Sequence, residues 1–192
     1  MEEHELKYML DENGYGECLD ALRQICGAEG RERLLINYYF DTPDLALHND
    51  GITLRVRQCG GKLQGQVKRH DKGISANSKE SYFDVNELPA AILFEGKTAK
   101  LLGSLVTKRT VFEHDGMEID IDQVHYLGRS DHELEIEFPA GEEAVAAALA
   151  TSLGVKFLPR RGGKYSRFLK ALKKLGGKVL PFAEAGSVTG EL

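Results

Sequence analysis

The sequence predicts an α+β fold in which antiparallel strands predominate. Most of the chain consists of short segments that alternate apolar and polar residues and are separated by Gly, Asn and Asp, a pattern typical of strands with one buried face. Asp115-Gly116 lies between two such segments and is a strong signal for a tight β-hairpin. Near the C-terminus the apolar residues instead recur at helical spacing. We therefore expect an antiparallel sheet followed by helices, within a single domain of 192 residues.

The first part of the chain is predicted to form one helix and several strands. In chain order the elements are a strand over Glu3–Leu10, a helix over Tyr15–Cys26, and strands over Arg33–Asp41, Ile52–Gln58 and Leu63–Arg69. The third of these ends at Thr42-Pro43, because proline has no N–H to donate to a neighbouring strand. A polar turn is expected at His48–Gly51, and Cys59–Lys62, with two central glycines, suits a hairpin loop.

The second part of the chain is predicted to move from strands to helices. Strands are expected over Lys79–Asn86, Thr107–His114, Met117–Val124 and His132–Phe138, and helices over Pro89–Leu102, Glu142–Leu153 and Tyr165–Leu175. The last two helices are predicted from an Ala-rich segment and from a one-sided row of apolar residues. Residues 176–192 are rich in Gly, Ala and Ser and are expected to be a flexible tail after a folded domain over residues 1–175.

The composition excludes several classes of function. A net charge of −5 argues against general binding of nucleic acid or anionic membranes, since such proteins carry a surplus of Lys and Arg. No apolar run is long enough to cross a membrane, and the first residues are acidic where a signal peptide would be basic, so a cytoplasmic location is expected. The three cysteines form no CxxC pair and the six histidines no HExxH motif, which argues against zinc.

Rows of charged side chains are the strongest functional signal. Successive side chains of a strand point to opposite faces, so Glu3, Glu5 and Lys7 share one face of the first strand. Other strands repeat this arrangement: Glu133, Glu135 and Glu137; Glu118, Asp120 and Asp122; Thr53, Arg55 and Arg57; Gln64, Gln66 and Lys68. These faces could be outward and solvated. They could equally point inward, where charges persist only as mutual partners or as ligands to ions, and periodicity does not choose between the two.

The order of these motifs resembles the CYTH family, whose name joins class IV adenylate cyclase and thiamine triphosphatase, and within it the bacterial YjbK-like branch. The likeness covers about residues 2–175. It is carried, in order, by ExExK at Glu3, Glu5 and Lys7, YYFDTPDLALHNDGITLRVR ending in Arg55 and Arg57, Lys68, Glu80, Lys108-Arg109, Asp120 and Asp122, ELEIE, and GGKYSRF with Lys164. The resemblance implies an eight-stranded antiparallel β-barrel with flanking helices, in which the ionic faces point into a tunnel that binds a triphosphate.

The resemblance also implies roles for these residues. Phosphate-contacting candidates are cationic, because a triphosphate carries several negative charges: Lys7, Arg55, Arg57, Lys68, Lys108, Arg109, Lys164 and, more weakly, Arg167. Carboxylates suit Mg²⁺ or Mn²⁺, and the candidate ligands are Glu3, Glu5, Glu80, Asp120, Asp122, Glu133, Glu135 and Glu137, with Glu133 and Glu135 favoured within the last motif. The expected catalytic set is Glu3, Glu5, Lys7, Lys68 and Arg109.

Three functions follow as alternatives. The first is metal-dependent hydrolysis of a small triphosphate, namely inorganic tripolyphosphate, thiamine triphosphate or a nucleoside triphosphate. The second is a class IV type adenylate cyclase, and the third is a non-catalytic module that binds nucleotide or polyphosphate. A P-loop is rejected, because Leu158 stands where that motif needs glycine before Gly163-Lys164. The aromatic run at Tyr38–Phe40 is assigned to the core, and the protein is expected to be a monomer or a homodimer.

Overall fold

The computed structural model describes residues 2–70, 78–159 and 161–176, with side chains from His4 onward. Its strands are β1 (Glu2–Glu3), β2 (Glu5–Leu10), β3 (Arg31–Asp41), β4 (Ile52–Cys59), β5 (Lys62–His70), β6 (Ser78–Asp84), β7 (Ala91–Phe94), β8 (Lys97–His114), β9 (Met117–Tyr126) and β10 (Arg129–Glu137). Its helices are α1 (Glu12–Cys26), α2 (Ala46–Asn49), α3 (Glu143–Ser152) and α4 (Lys164–Lys174). None of the helices in these ranges has the length and apolarity that a membrane crossing requires.

One antiparallel sheet curls round so that a single segment provides both of its ends. The strands follow the order β1-β6-β5-β4-β3-β8-β9-β10-β2, and β7 pairs with β8 outside this path. The end strands β1 and β2 are separated only by His4, so the N-terminal segment pairs with β6 through Glu2–Glu3 and with β10 through Glu5–Leu10. Counted as one strand, β1 and β2 complete the predicted eight strands, and β7 is additional. The fold class predicted from the sequence is confirmed.

Apolar side chains form two clusters on the outside of the curled sheet. In the first, α1 and α3 pack on β2, β8, β9 and β10, whose buried outward residues include Ile119, Ile121, Leu134 and Ile136. In the second, α2 and β7 cover β3, β4 and β5 around Phe40, Leu54 and Val56. Burial of these apolar surfaces is the main favourable contribution to folding. It also leaves the opposite, inner face of the strands for other residues.

The helix α4 packs against the inner face at one end of the sheet. Its residues Tyr165, Phe168 and Leu169 form a cluster with Leu105 and Val124. Val124 has the same parity as Asp122 on β9, and Leu105 the same parity as Arg109 on β8, so both face inward. Consequently α4 covers one end of the interior with its apolar side.

Local chemistry explains where the predicted elements begin and end. The helix α1 begins before the predicted Tyr15, because Asp11 caps it by accepting a hydrogen bond from the Gly14 N–H at 2.7 Å. The hairpin at Asp115-Gly116 is confirmed: both residues have positive φ, 49° and 76°, as a tight turn between twisted strands requires.

One predicted element is wrong. Residues 89–102 form no helix but belong to β7 and to the start of β8. The turn between them is Glu95-Gly96, with φ of 48° and 74°, a hairpin geometry without the usual Asn-Gly or Asp-Gly signal. The expected polar turn at His48–Gly51 is confirmed by a 3.0 Å bond from the Gly51 N–H to the His48 carbonyl, and its first two residues also end the short helix α2.

A matched pair of leucine truncations tests the position of the outer core. Leu134 is fully buried under α1 and α3, so Leu134→Ala should lower the free energy of unfolding by about 2–5 kcal/mol through lost burial and a residual cavity. Leu34 is 60% exposed, and Leu34→Ala should change the same quantity by less than about 0.5 kcal/mol. Urea unfolding followed by circular dichroism measures both. Equal effects would contradict the outer core described above.

Candidate active site in the barrel interior

The inward-facing positions of the strands are charged and line a cavity of about 780 Å³. The periodicity of the sequence left open whether these faces point inward or outward, and the structure places them inside. Cationic and acidic side chains from nine elements meet there, namely Glu5, Lys7, Arg33, Arg55, Arg57, Lys68, Glu80, Arg109, Glu118, Glu135, Glu137 and Lys164. The remaining sections of wall are largely polar, so the cavity suits a strongly charged ligand.

An acidic wall is formed by β9 and β10. Asp122 pairs in register with Glu133 across these strands, and Asp120 pairs with Glu135. One carboxylate oxygen each of Asp122, Glu133 and Glu135 lie within 4.8 Å of one another, and all three side chains are buried. A second such group consists of Glu118, Asp120 and Glu137. Within the last acidic motif, Glu133 and Glu135 therefore share one group and Glu137 belongs to the other.

Arg109 on β8 is the principal partner of the acidic wall. Its guanidinium donates two hydrogen bonds of 2.8 Å to the carboxylate of Asp122, one of 2.7 Å to Glu135, and one to Asp120. Burial disfavours the charged guanidinium, yet the charges of Asp122 and Glu135 outweigh it and raise the pKa of Arg109. Arg109 thus holds neighbouring strands together through buried ion pairs.

Two lysines from outside β9 and β10 complete the neutralisation. Lys7 Nζ on β2 lies 2.8 Å from Glu135 and 2.9 Å from Glu5. Lys164 Nζ, in the first turn of α4, lies 2.9 Å from Asp122, 2.9 Å from Glu135 and in contact with Glu133. Burial would lower the pKa of both lysines, but the surrounding carboxylates raise it above the usual value. In turn, although burial favours its neutral form, Glu135 is kept ionised with a lowered pKa by Lys164, Lys7 and Arg109.

A cationic wall faces the interior from β4 and β5. Lys68 Nζ lies 3.4 Å from both Glu5 and Glu80, and Arg55 Nη2 lies 3.7 Å from Glu80. Burial alone would raise the pKa of Glu80, but Arg55 and Lys68 reverse this effect and lower it. These ion pairs are longer than those of the acidic wall. Arg55 Nε also donates a 2.7 Å hydrogen bond to the side-chain oxygen of Gln66.

Arg57 is the least compensated cation of this wall. Its Nε donates a 2.9 Å hydrogen bond to the amide oxygen of Asn37, and it forms no ion pair with any residue in the described part of the chain. Burial and the positive charges of Arg55 and Arg109 lower the pKa of Arg57 to about 10. An anion that binds beside such a guanidinium stabilises its charged form, because attraction to the anion offsets the repulsion from the neighbouring cations.

The acidic wall has the donor chemistry that Mg²⁺ or Mn²⁺ requires. Hard divalent cations prefer carboxylate oxygens, and the groups of three described above supply them. Asp120 is fully buried and its Oδ1 has no hydrogen-bond partner among the described residues. Burial, with Asp122 and Glu135 nearby and despite Arg109, raises the pKa of Asp120 to about 7. A divalent cation would offset this excess negative charge, so the carboxylates of the acidic wall fit Mg²⁺ or Mn²⁺.

The structure separates two predicted site residues from the interior and describes only the backbone of a third. Lys108 is wrong as a phosphate contact: it follows Arg109 in the alternation, points outward, is half exposed and lies 3.2 Å from Glu32. Arg167 is not among the residues that line the cavity. Its Nη2 supports Glu133 by donating a 2.7 Å hydrogen bond to the carboxylate. The backbone of Glu3 pairs with Ser78 in β1, and its side chain lies outside the described residues.

Some interior residues carry no signal in the sequence motifs. Asn37 contacts Arg57, and Tyr39 stacks on Tyr165 of α4 with ring centroids 4.6 Å apart. The core assignment of Tyr39 is correct, although the ring borders the cavity. Glu118, which the alternation already placed in one charged row with Asp120 and Asp122 but which was not predicted as a metal ligand, belongs to one of the acidic groups.

Comparison with known proteins identifies the fold and the family pattern. The family model for the CYTH domain matches residues 1–177, close to the predicted domain over residues 1–175. No curated protein matches the sequence.

Several solved structures have similar folds at low sequence identity. A candidate adenylate cyclase from Bacillus halodurans is 20% identical with a TM-score of 0.70, covering 86% of this chain and 96% of that one. HpAC1 from Hippeastrum, described as a candidate adenylyl cyclase with a dominant triphosphatase activity, is 20% identical with a TM-score of 0.71, covering 94% and 98%. The PH1819 protein from Pyrococcus horikoshii is 20% identical with a TM-score of 0.61, covering 90% and 99%. At these identities the likeness concerns the fold.

Two arginine substitutions test the support of the acidic wall. Arg167→Met should lower the free energy of unfolding by about 3–5 kcal/mol, because it leaves Asp131 and Glu133 partly buried without their shared cation. Arg69→Met removes an exposed pair with Glu95 and should cost less than about 1 kcal/mol. Guanidinium chloride unfolding compares them. A loss for Arg167→Met no larger than that for Arg69→Met would refute the supporting role.

Proposed function

The chain belongs to the CYTH domain family, and on that premise we propose that it hydrolyses a small triphosphate inside the barrel with Mg²⁺ or Mn²⁺. One observation carries the proposal: Arg57, a buried guanidinium without a carboxylate partner in the described part of the chain, lines the same cavity as Glu135, through which the acidic group of Asp122, Glu133 and Glu135 reaches the interior. A ligand that satisfies both sides is anionic and brings a divalent cation. A triphosphate–metal complex has this charge distribution.

The cationic wall would bind the phosphates. Arg55 and Arg57 offer planar donor groups that can each contact two phosphate oxygens, and Lys68 offers a compact charge beside them. Lys7, Arg109 and Lys164 lie where both walls meet, and their donors can turn from carboxylates toward phosphate oxygens as negative charge arrives. Preorganised donors of this kind also stabilise the charge that develops as the phosphoanhydride bond breaks.

The acidic wall would hold the metal. Asp122, Glu133 and Glu135 are the primary candidates, and Asp120, Glu118 and Glu137 form the second group of carboxylates. Glu5, bonded to both Lys7 and Lys68, connects the two walls, and Glu80 lies against Lys68 and Arg55. The bound ion supplies charge neutralisation and Lewis acidity, and the protein residues orient the phosphate chain and exclude bulk water.

We further propose that the partner is a small molecule and that the protein acts in the cytoplasm. The net charge of −5 supports a small-molecule partner, because the chain as a whole has no surplus of cations for binding nucleic acid. The cations of the proposed site are gathered in the interior instead. The placement in the YjbK-like branch and the expectation of a monomer or homodimer stay predictions.

A phosphate-release screen tests the reaction. With Mg²⁺ or Mn²⁺, purified protein should release orthophosphate from tripolyphosphate, thiamine triphosphate or ATP. Arg57→Met and Lys68→Met should each reduce kcat/KM by about 10²-fold, because each removes a charged donor to the phosphates. Lys108→Met, on the outer surface, should change kcat/KM by less than about twofold. Cyclic AMP and pyrophosphate from ATP would establish a cyclase instead, and metal-dependent binding without turnover would establish a binding module.

Thermal unfolding tests the metal site without reference to turnover. At about 100 times its dissociation constant, Mg²⁺ or Mn²⁺ should stabilise the wild-type protein by about 2.7 kcal/mol and raise Tm. Glu135→Gln removes a charge from the acidic group and should abolish the metal-dependent part of that rise. Glu32→Gln, which touches only the outer lysine Lys108 among the recorded ion pairs, is the matched control and should keep it. An equal metal response in all three proteins would rule out the assigned ligands.

A further inference from the structure

Asp41, at the end of β3, is a buried carboxylate outside both charged walls. It is fully buried and forms no ion pair with any described residue. Five donors satisfy it instead: Oδ1 accepts from the N–H groups of Thr42 at 2.8 Å and Leu47 at 3.0 Å and from the Thr42 hydroxyl at 3.4 Å, and Oδ2 accepts from the His48 N–H at 3.0 Å and the Tyr165 hydroxyl at 2.8 Å. A buried charge costs a large free energy unless such bonds compensate it, so this arrangement is specific.

The bond from Tyr165 joins two segments that are distant in the chain. Tyr165 is 124 positions from Asp41 and lies in the first turn of α4. Its ring is held between Tyr39, stacked at 4.6 Å, and His48, whose ring meets it edge-on at 5.4 Å. The Asp41 carboxylate therefore contacts both the short helix α2, which carries His48, and the start of α4.

The start of α4 needs such a fixed point. Its N-terminal cap is Gly163, which supplies no side-chain capping bond, and Gly162 before it has a φ of 84°. Glycine allows this region many backbone conformations, so no side-chain cap fixes the first residues of the helix, and the anchor within this turn is Arg167, which bonds to the Gly162 carbonyl and to Glu133. Lys164, whose ammonium reaches Asp122, Glu133 and Glu135, is the residue immediately before Tyr165.

We propose that Asp41 is a positioning residue that holds Lys164 at the acidic wall by anchoring the hydroxyl of Tyr165. The stacked rings alone can slide over one another, whereas the hydrogen bond fixes the height and rotation of the first turn of α4. The contribution of a positioned Lys164 to substrate binding rests on the proposed function. The position of Lys164 itself does not.

Tyr165→Phe is the decisive variant, because it keeps the aromatic ring and removes only the bond to Asp41. Tyr38→Phe is the matched control: it removes the 3.1 Å bond from an outward tyrosine of β3 to Gln58. The rate at which a small acylating reagent modifies each lysine of the full-length protein is followed by mass spectrometry. The Lys164 side chain is 11% exposed, and Lys68, equally shielded at 11%, is an internal standard for general loosening.

The expected result is a modification rate at Lys164 about tenfold higher in Tyr165→Phe, with Lys68 unchanged and with neither lysine changed in Tyr38→Phe. An unchanged modification rate at Lys164 would overturn the proposal. An equal increase at Lys68 would also overturn it, because the bond would then stabilise the whole interior and not the position of Lys164. These readings hold whether or not the protein hydrolyses triphosphates.

A second measurement connects the positioning to the proposed function. KM for tripolyphosphate should rise about tenfold in Tyr165→Phe. In a Lys164→Met background the same substitution should raise KM by less than about twofold, because both substitutions remove the same contact between Lys164 and the substrate. Full additivity would show that Asp41 and Tyr165 do not act through Lys164. A wild-type protein with no activity toward any triphosphate would instead refute the proposed function, and the modification rates would still decide the positioning role.

Discussion

Charges of both signs share the interior of this barrel, and their compensation is the condition on which the rest of the structure depends. A buried carboxylate or ammonium is strongly unfavourable unless a partner and hydrogen bonds replace its water. Along β9 and β10, Arg109, Lys7 and Lys164 provide these partners for Asp122, Glu133 and Glu135. The charged part of the interior therefore contributes little apolar burial, and apolar stabilisation comes from the outer clusters under α1, α3 and β7 and from the cluster that α4 forms at one end of the inner face.

The separation of a charged inner face from an apolar outer face follows from the alternation of side chains along a strand. Leu134 and Ile136 lie under the helices because Glu133 and Glu135 point inward, and a shift of one residue would exchange the two sets. The N-terminal segment fixes the register at both ends of the sheet by pairing with β6 and β10. The same constraint that forms the core thus sets the height at which each charge enters the cavity.

Much of the fold could be predicted because alternation and Asp-Gly turns are local signals. The β7–β8 hairpin was missed since Glu95-Gly96 is a less characteristic turn and the adjacent Ala91–Leu93 segment also suits a helix. The charged residues were found from their spacing, but the direction in which they face depends on what covers the opposite side. Lys108 was misassigned because it neighbours Arg109 in sequence, although strand geometry places neighbours on opposite faces. The bond between Asp41 and Tyr165 spans 124 positions and leaves no local signal.

The two walls differ in the lengths of the ion pairs described within them and in Arg57, which has no carboxylate partner among the described residues. Acidic oxygens are shared among several cations at 2.7–2.9 Å, whereas the ion pairs of Lys68 and Arg55 lie at 3.4–3.7 Å and Arg57 relies on an amide. Lys7 and Lys164 can therefore serve as tethered counterions that keep the acidic wall folded when no ligand is bound. A divalent cation that takes over their carboxylates would free both ammonium groups for an anion, so metal and phosphate would each make binding of the other more favourable. Such coupling requires that Lys164 be held within reach of both ligands, which is the position that the start of α4 provides.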